Sequence, residues 1–503
     1  MLTVADIVAD GLVRAGTPRV FAVADEHRVS ALLDAVRRRG LEVVETRGET
    51  AACLMAAVTG TLAGAPGAAV IAGVRGLARA AEGVADAFLD RSPLVVITTG
   101  ADVPREGHRA RLAAITKATL GVGADSAAHW IAHACQLAMK EPRGPVHLDV
   151  AAHFAAAAAL PIATACRPDP LPPPDAPSLD AAARLLARAT RPLVVVGLQC
   201  RSEADATWLR AFTEALPAPV LVTRKAKGAL PDPHPLVMGT FGEGGAEAEL
   251  LEAADLVVAI GLDPIEVRPR GWPAETPVLH VAAAAPQASP HYRVTTALVG
   301  DIGLVLEELA PRLRERQLAD WDVARLHALK QALASPPPAR SPSLAVYRMV
   351  EVVRQLTPAG TVAVFDADEH LGAGLRAWPA VAFGECLVPG RLATDGFALP
   401  AAIAAQLARR EQRVVCFTEP HALRAAVGEL DTLAALALPV LVVVFCEAVA
   451  PSLLTLARGA GVAGFTAGST DEFRTASARA LEGGAPALIE ATLAAGKGSA
   501  QKK

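Results

Sequence analysis

Two proline-rich breaks constrain this chain most. The first is Arg167-Pro168-Asp169-Pro170-Leu171-Pro172-Pro173-Pro174, and the second runs from Pro336-Pro337-Pro338 through Pro342. Proline fixes φ and carries no backbone N–H, so such runs form extended connections and cannot continue a helix. They leave three stretches of similar size, in each of which apolar runs of strand length alternate with amphipathic or Ala-rich helical stretches. That alternation is the signature of βα units on a parallel sheet. Strands are predicted at 20–23, 42–45, 68–71, 94–98 and 146–150 in the first stretch. The second has them at 193–196, 220–222, 256–260 and 278–281, and the third at 361–365, 414–417 and 440–445. The expected fold class is α/β, with three doubly wound parallel-sheet domains. The expected boundaries are 1–163, 179–312 and 344–494, with linkers at 164–178 and 313–343 and a short tail at 495–503. A length of 503 residues suits three domains at about 100–200 residues each.

Composition supports buried parallel strands. The chain is 52% hydrophobic but only 4% aromatic, so Ala, Val and Leu build its core, as in strands covered on both faces by helices. A net charge of −4, with no basic run beyond Lys502-Lys503, argues against a nucleic-acid partner. The seven cysteines, at 53, 135, 166, 200, 386, 416 and 446, lack Cys-x-x-Cys spacing and read as buried thiols of a reducing compartment. Asp6 and Asp10 interrupt the N-terminus where a signal peptide would be basic and then apolar. The apolar runs, such as Leu438 to Phe445, are of strand length and too short to span a bilayer. The expectation is a cytoplasmic protein without a membrane partner.

Two strand-to-helix junctions carry the chemistry. Val43-Val44-Glu45-Thr46-Arg47-Gly48-Glu49-Thr50-Ala51-Ala52 leads from a strand into an Ala-rich helix and sets a carboxylate, Glu49, at the junction. Arg413 to Phe417 leads through Thr418-Glu419-Pro420 into another helix. Further segments follow in a recognisable order: Gly83-Val84-Ala85-Asp86-Ala87-Phe88 with Ser92-Pro93-Leu94-Val95-Val96-Ile97-Thr98, then Arg143-Gly144-Pro145-Val146-His147-Leu148-Asp149. Lys227-Gly228-Ala229-Leu230-Pro231-Asp232, Ile260-Gly261-Leu262-Asp263-Pro264-Ile265-Glu266 and Gly396-Phe397-Ala398-Leu399-Pro400-Ala401-Ala402-Ile403 complete the series. Over nearly its whole length the chain resembles the thiamine-diphosphate (ThDP) enzymes of the acetolactate synthase, benzoylformate decarboxylase and oxalyl-CoA decarboxylase superfamily. The resemblance implies a pyrimidine-binding, a central and a diphosphate-binding domain.

It also implies roles. A carboxylate hydrogen-bonded to the aminopyrimidine ring activates the cofactor, and Glu49 matches that position, although Gly48 and Thr50 replace the usual His-Glu-Gln-type surround. A bulky apolar wedge normally precedes the Gly-Phe pair at Gly396; here it is Asp395, which as a polar residue before a helix also reads as an N-cap. The metal and diphosphate anchor, Gly-Asp-Gly in the family, is Thr418-Glu419-Pro420. Glu419 keeps an oxygen ligand for a hard cation, while Pro420 deletes an N–H. The family's second ligand, an Asn, counts to Cys446, followed by Glu447, and a thiolate suits Mg²⁺ poorly. The implied metal set is therefore Glu419, Cys446 and Glu447, with His421 also near the cofactor. His27 and His370 lie on strand-to-helix loops where substrate-facing groups occur, each with an alternative as an accommodated loop histidine. The family's Gly-Pro-Gly-Ala-Thr-Asn loop aligns with Gly73 to Arg79, so Arg75 and Arg79 are candidates to receive an anion. Asp366, Asp368 and Glu369 read equally as a metal cluster or as helix-capping acids.

Three functions follow from these readings. The first is a divergent ThDP- and Mg²⁺-dependent lyase or carboligase acting on a small anionic substrate, a 2-oxo acid or acyl relative. The second is a non-catalytic helper subunit that lends Glu49 to an active paralogue. The third is a remodelled crevice for another anion, although no Gly-x-Gly-x-x-Gly follows a strand to support a dinucleotide. The resemblance implies a homodimer or homotetramer, or a hetero-oligomer in the helper case. FAD in the central domain is left open.

Overall fold

The computed structural model describes residues 2–23, 29–99, 112–160, 164–242, 246–267, 272, 275–286, 289, 292–313, 319–338, 341, 343–447 and 451–493. Three parallel sheets flanked by helices form three α/β domains. The first sheet holds β1 (Arg19–Val23), β2 (Glu42–Thr46), β3 (Gly67–Ala72), β4 (Leu94–Thr99), β5 (Thr119–Val122) and β6 (Pro145–Val150) in the order β2-β1-β3-β4-β6-β5. The second holds β7 (Pro192–Val196), β8 (Val220–Val222), β9 (Val237–Thr240), β10 (Leu256–Ile260), β11 (Val278–Ala282) and β12 (Val294–Val299) in the order β12-β11-β10-β7-β8-β9.

By contacts the chain divides into two compact units. One gathers Met1–Asp169, Thr361–Asp368 and Val388–Lys503, and the other gathers Pro170–Gly360 and Glu369–Leu387. The short strand β14 (Cys386–Leu387) falls in the second unit. In the first unit the third sheet runs β13 (Val362–Phe365), β15 (Val414–Thr418), β16 (Val440–Cys446), β18 (Ala487–Thr492), β17 (Ala463–Ala467).

The predicted strands all form, with ends shifted by a residue or so. Most of the strands that apolar runs did not announce are sheet edges: β5, β9, β12 and β17. β12, Val-Thr-Thr-Ala-Leu-Val, has only one fully buried residue, and an edge strand with one wet side offers no continuous apolar run to read.

Within the first unit the helix Glu49–Ala63 is buried from Ala51 through Gly60. It packs against the helices Gly73–Leu89 and Ala398–Ala408 and against β3. Small residues make that depth possible. A Cβ on Gly67 would stand 1.8 Å from the Ala56 carbonyl oxygen, and one on Gly60 would stand 2.5 Å from the Gly67 nitrogen. Helix and strand therefore meet backbone to backbone. Among the described residues no helix is long and apolar enough to cross a membrane.

Candidate active-site crevice

In open parallel sheets, ligands bind beyond the carboxyl ends of the strands, and most of the candidate residues sit there. β2 ends one turn before Glu49, β13 just before Asp366, β15 at Thr418, and β16 at Cys446. Within the first unit a crevice of about 340 Å³ is lined by Arg47, Glu49, Arg79, Asp395, Gly396 and Glu429 among others.

Glu49 is the first residue of its helix, after an extended Gly48. The positive end of the helix dipole favours a carboxylate there. Its side chain is 9% exposed, with Arg79 Nη1 3.6 Å from Oε1. Gly76 leaves it room, since a Cβ there would lie 3.3 Å from Glu49 Oε1. The segment aligned with the family's glycine-rich loop is no loop: the helix Gly73–Leu89 starts at its first residue, and the Arg79 carbonyl accepts the Thr50 hydroxyl at 2.7 Å. Arg75 and Arg79 are exposed on that helix.

The turn before Glu49 is held by a residue that sequence reasoning missed. Glu429 Oε1 accepts the N–H groups of Arg47 at 2.9 Å and Gly48 at 3.0 Å. Its Oε2 accepts the Thr432 hydroxyl at 2.7 Å. Burial pushes the Glu429 carboxyl above the usual range, opposed by the hydrogen bonds from Thr432, Arg47 and Gly48. The only sequence signal was an acid opening the helix Glu429–Ala435, which occurs at many helix starts.

The anchor end is arranged differently. Asp395 is exposed in a turn and caps nothing: the helix Ala398–Ala408 has no side-chain cap from its own flank. Asp366, at the end of β13, takes that role. Its Oδ1 accepts the Ala398 N–H at 2.9 Å and its Oδ2 the Thr418 hydroxyl at 2.5 Å. Burial raises the Asp366 pKa to about 6 against those two hydrogen bonds. Gly396 has φ +75, and a Cβ on it would meet the Ala422 carbonyl at 2.8 Å. Glu419 precedes the helix Pro420–Ala425 with Pro420 at its first position. His421 lies between two acids, Nδ1 3.4 Å from Glu419 Oε2 and Nε2 3.8 Å from Asp395 Oδ1.

Cys446 is fully buried, its thiol pushed up to about 12 by burial and by the nearby Glu490 carboxylate. Glu447 beside it is exposed. His370 belongs to the second unit, buried, with Nδ1 3.1 Å from the Ser343 hydroxyl. His27 lies outside the described residues. No cluster of three or more His, Cys, Asp or Glu able to hold a metal occurs among the described residues.

Family models match the chain in three consecutive blocks. Residues 2–121 match the N-terminal TPP binding domain of the thiamine pyrophosphate enzymes, residues 179–309 their central domain and residues 371–449 their C-terminal TPP binding domain. The chain belongs to the thiamine-diphosphate-dependent enzyme superfamily. It is 30% identical to the acetolactate synthase large subunit of Parasynechococcus marenigrum over 55% of this chain, a match spanning 45% of that protein. It is 24% identical to 2-hydroxyacyl-CoA lyase 1 of Mus musculus over 83% of this chain and 76% of the lyase. In fold it is similar to a putative thiamin diphosphate-dependent enzyme of Mycobacterium smegmatis, with a TM-score of 0.82 at 21% identity, covering 98% of this chain and 99% of that one.

The residues present fit such a cofactor at one end only. Glu49 offers a carboxylate at a helix start on the crevice wall, at the position to which the resemblance assigns the aminopyrimidine contact. At the diphosphate end, Pro420 has no N–H to give. The Thr418 hydroxyl is committed to Asp366, and the thiol of Cys446 is sealed away and protonated. Glu419 and Asp395 would repel a diphosphate in the absence of a cation.

Proposed function

We propose that this chain is a helper subunit of the ThDP family: it supplies Glu49 to an assembly with an active relative and does not hold Mg²⁺–ThDP by itself. The observation that carries this reading is the β15 end. The Thr418 hydroxyl turns inward to Asp366, Pro420 opens the next helix, and Cys446, which the resemblance counts as the second metal ligand, is buried. The activating side is kept in order by contrast, with Glu49 at its helix start and its turn clamped by Glu429.

Calorimetric titration of ThDP with Mg²⁺, and again with Mn²⁺, into the isolated protein tests this. The expected result is no metal-dependent binding in the micromolar range. A paralogue with an intact Gly-Asp-Gly should co-purify with the chain, and its activity should fall when Glu49→Gln replaces the wild type in the assembly. Micromolar binding by the isolated chain that needs the metal and weakens in Glu49→Gln would overturn the reading.

That outcome would favour the second reading, a ThDP-dependent lyase or carboligase of a 2-oxo acid or acyl relative. The juxtaposition of Glu49 with Arg79, a cation placed to receive an anionic substrate, supports it. It would show as ThDP-dependent release of CO₂ from a panel of 2-oxo acids.

A further inference from the structure

Two turns far apart in sequence meet beside Glu49. A Cβ on Gly428 would lie 3.0 Å from Arg47 Cβ, and one on Gly48 would lie 3.8 Å from Glu429 Oε1. Arg47 Nε also pairs with Asp431 at 3.8 Å. The Glu429 side chain is buried and spends both oxygens on this contact, one on the Arg47 and Gly48 amides and the other on Thr432. A buried carboxylate is costly unless fully hydrogen-bonded, so an apolar side chain would suffice if packing alone were needed here.

We propose that Glu429 is the positioning residue of Glu49: by accepting the two amides that precede it, Glu429 fixes the direction in which the Glu49 carboxylate enters the crevice. The two peptide groups it grips are those that orient the first turn of the helix Glu49–Ala63. Thr46 steadies the same turn from the other side, its hydroxyl 3.2 Å from the Gly48 carbonyl and 3.3 Å from that of Ala22. Glu429 touches no reacting group and acts only through Glu49. The inference rests on the reading of Glu49 as the working carboxylate of the site.

Carbodiimide footprinting by mass spectrometry tests it without any ligand, on the full chain in four forms: wild type, Glu429→Ala, Glu429→Asp and Glu429→Gln. Alanine removes the acceptor and aspartate withdraws it by one methylene while keeping the charge. Glutamine keeps a carbonyl oxygen able to accept both amides. Labelling of Glu49, low in the wild type, should rise several-fold in the Ala and Asp forms and stay near wild type in the Gln form. Labelling of Glu203, exposed in the second unit, should not change in any of them. If alanine does not yield folded protein, the Asp and Gln pair decides. Unchanged Glu49 labelling, or a rise shared by Glu203, overturns the proposal. A failed ThDP titration leaves it standing, because the footprint needs no cofactor.

Discussion

Asp366 shows how one buried acid fixes both geometry and pH response. Its pKa is raised to about 6 by burial, opposed by the Thr418 hydroxyl and the Ala398 N–H. The folded state therefore holds this proton more tightly than the unfolded chain, where an aspartate titrates near 3.9. Its contribution to stability is fully present below about pH 4 and is lost as pH rises through about 6. At this site the loss amounts to at most about 3 kcal/mol. Asp366→Asn keeps an oxygen for the Ala398 amide and removes the titration. Urea midpoints should then vary less between about pH 4 and 6 than in the wild type, and an unchanged slope would refute the assignment. Sequence reading reached this residue only as one of two alternatives. It offered Asp366 as a capping acid or metal ligand and also favoured Asp395 as the cap. The structure gives the cap to Asp366 because its strand end lies beside the first turn of a helix more than 30 residues away, and spacing along the chain does not reveal such a neighbour. Glu49 was legible because its own strand and helix flank it. Glu429 was not, since its partners lie 382 and 381 residues away.

At the scale of elements, the interior strands were readable because parallel strands buried on both faces are continuous apolar runs. The helix Glu49–Ala63 was readable as Ala-rich, but not the reason for its composition, which is its close approach to β3. Gly67→Ala would place a methyl group against the backbone of that helix, an overpacking that costs on the order of 1–3 kcal/mol or more. Chemical denaturation should show a loss of at least that size. Gly459→Ala, where the added carbon meets nothing within 4 Å, should stay within about 0.5 kcal/mol of the wild type, as surface substitutions do. If the two variants unfold alike, the backbone contact is not what holds the helix in place.

For the molecule as a whole, the three α/β domains were legible in the alternation of apolar strand-length runs with helical stretches. The grouping of the outer segments into one unit was not, because nothing local in a sequence states which domains adhere. All seven cysteines are buried, in both units. A thiol reagent such as Ellman's should accordingly find none within minutes in the native protein and all seven in denaturant. Rapid reaction of even one native thiol would contradict the buried placement.

The Glu429 clamp bears on how such a chain is made. The turn that aims Glu49 is made first, and the carboxylate that fixes it follows 382 residues later. So does the helix Ala398–Ala408 that covers the Glu49 helix. The apolar Glu49 helix is therefore made well before its cover, and an apolar surface left open in this way is prone to aggregate or recruit chaperones. Closing contacts of such sequence separation is slow. Glu49 is among the first residues of the crevice to be made and among the last to be set in place.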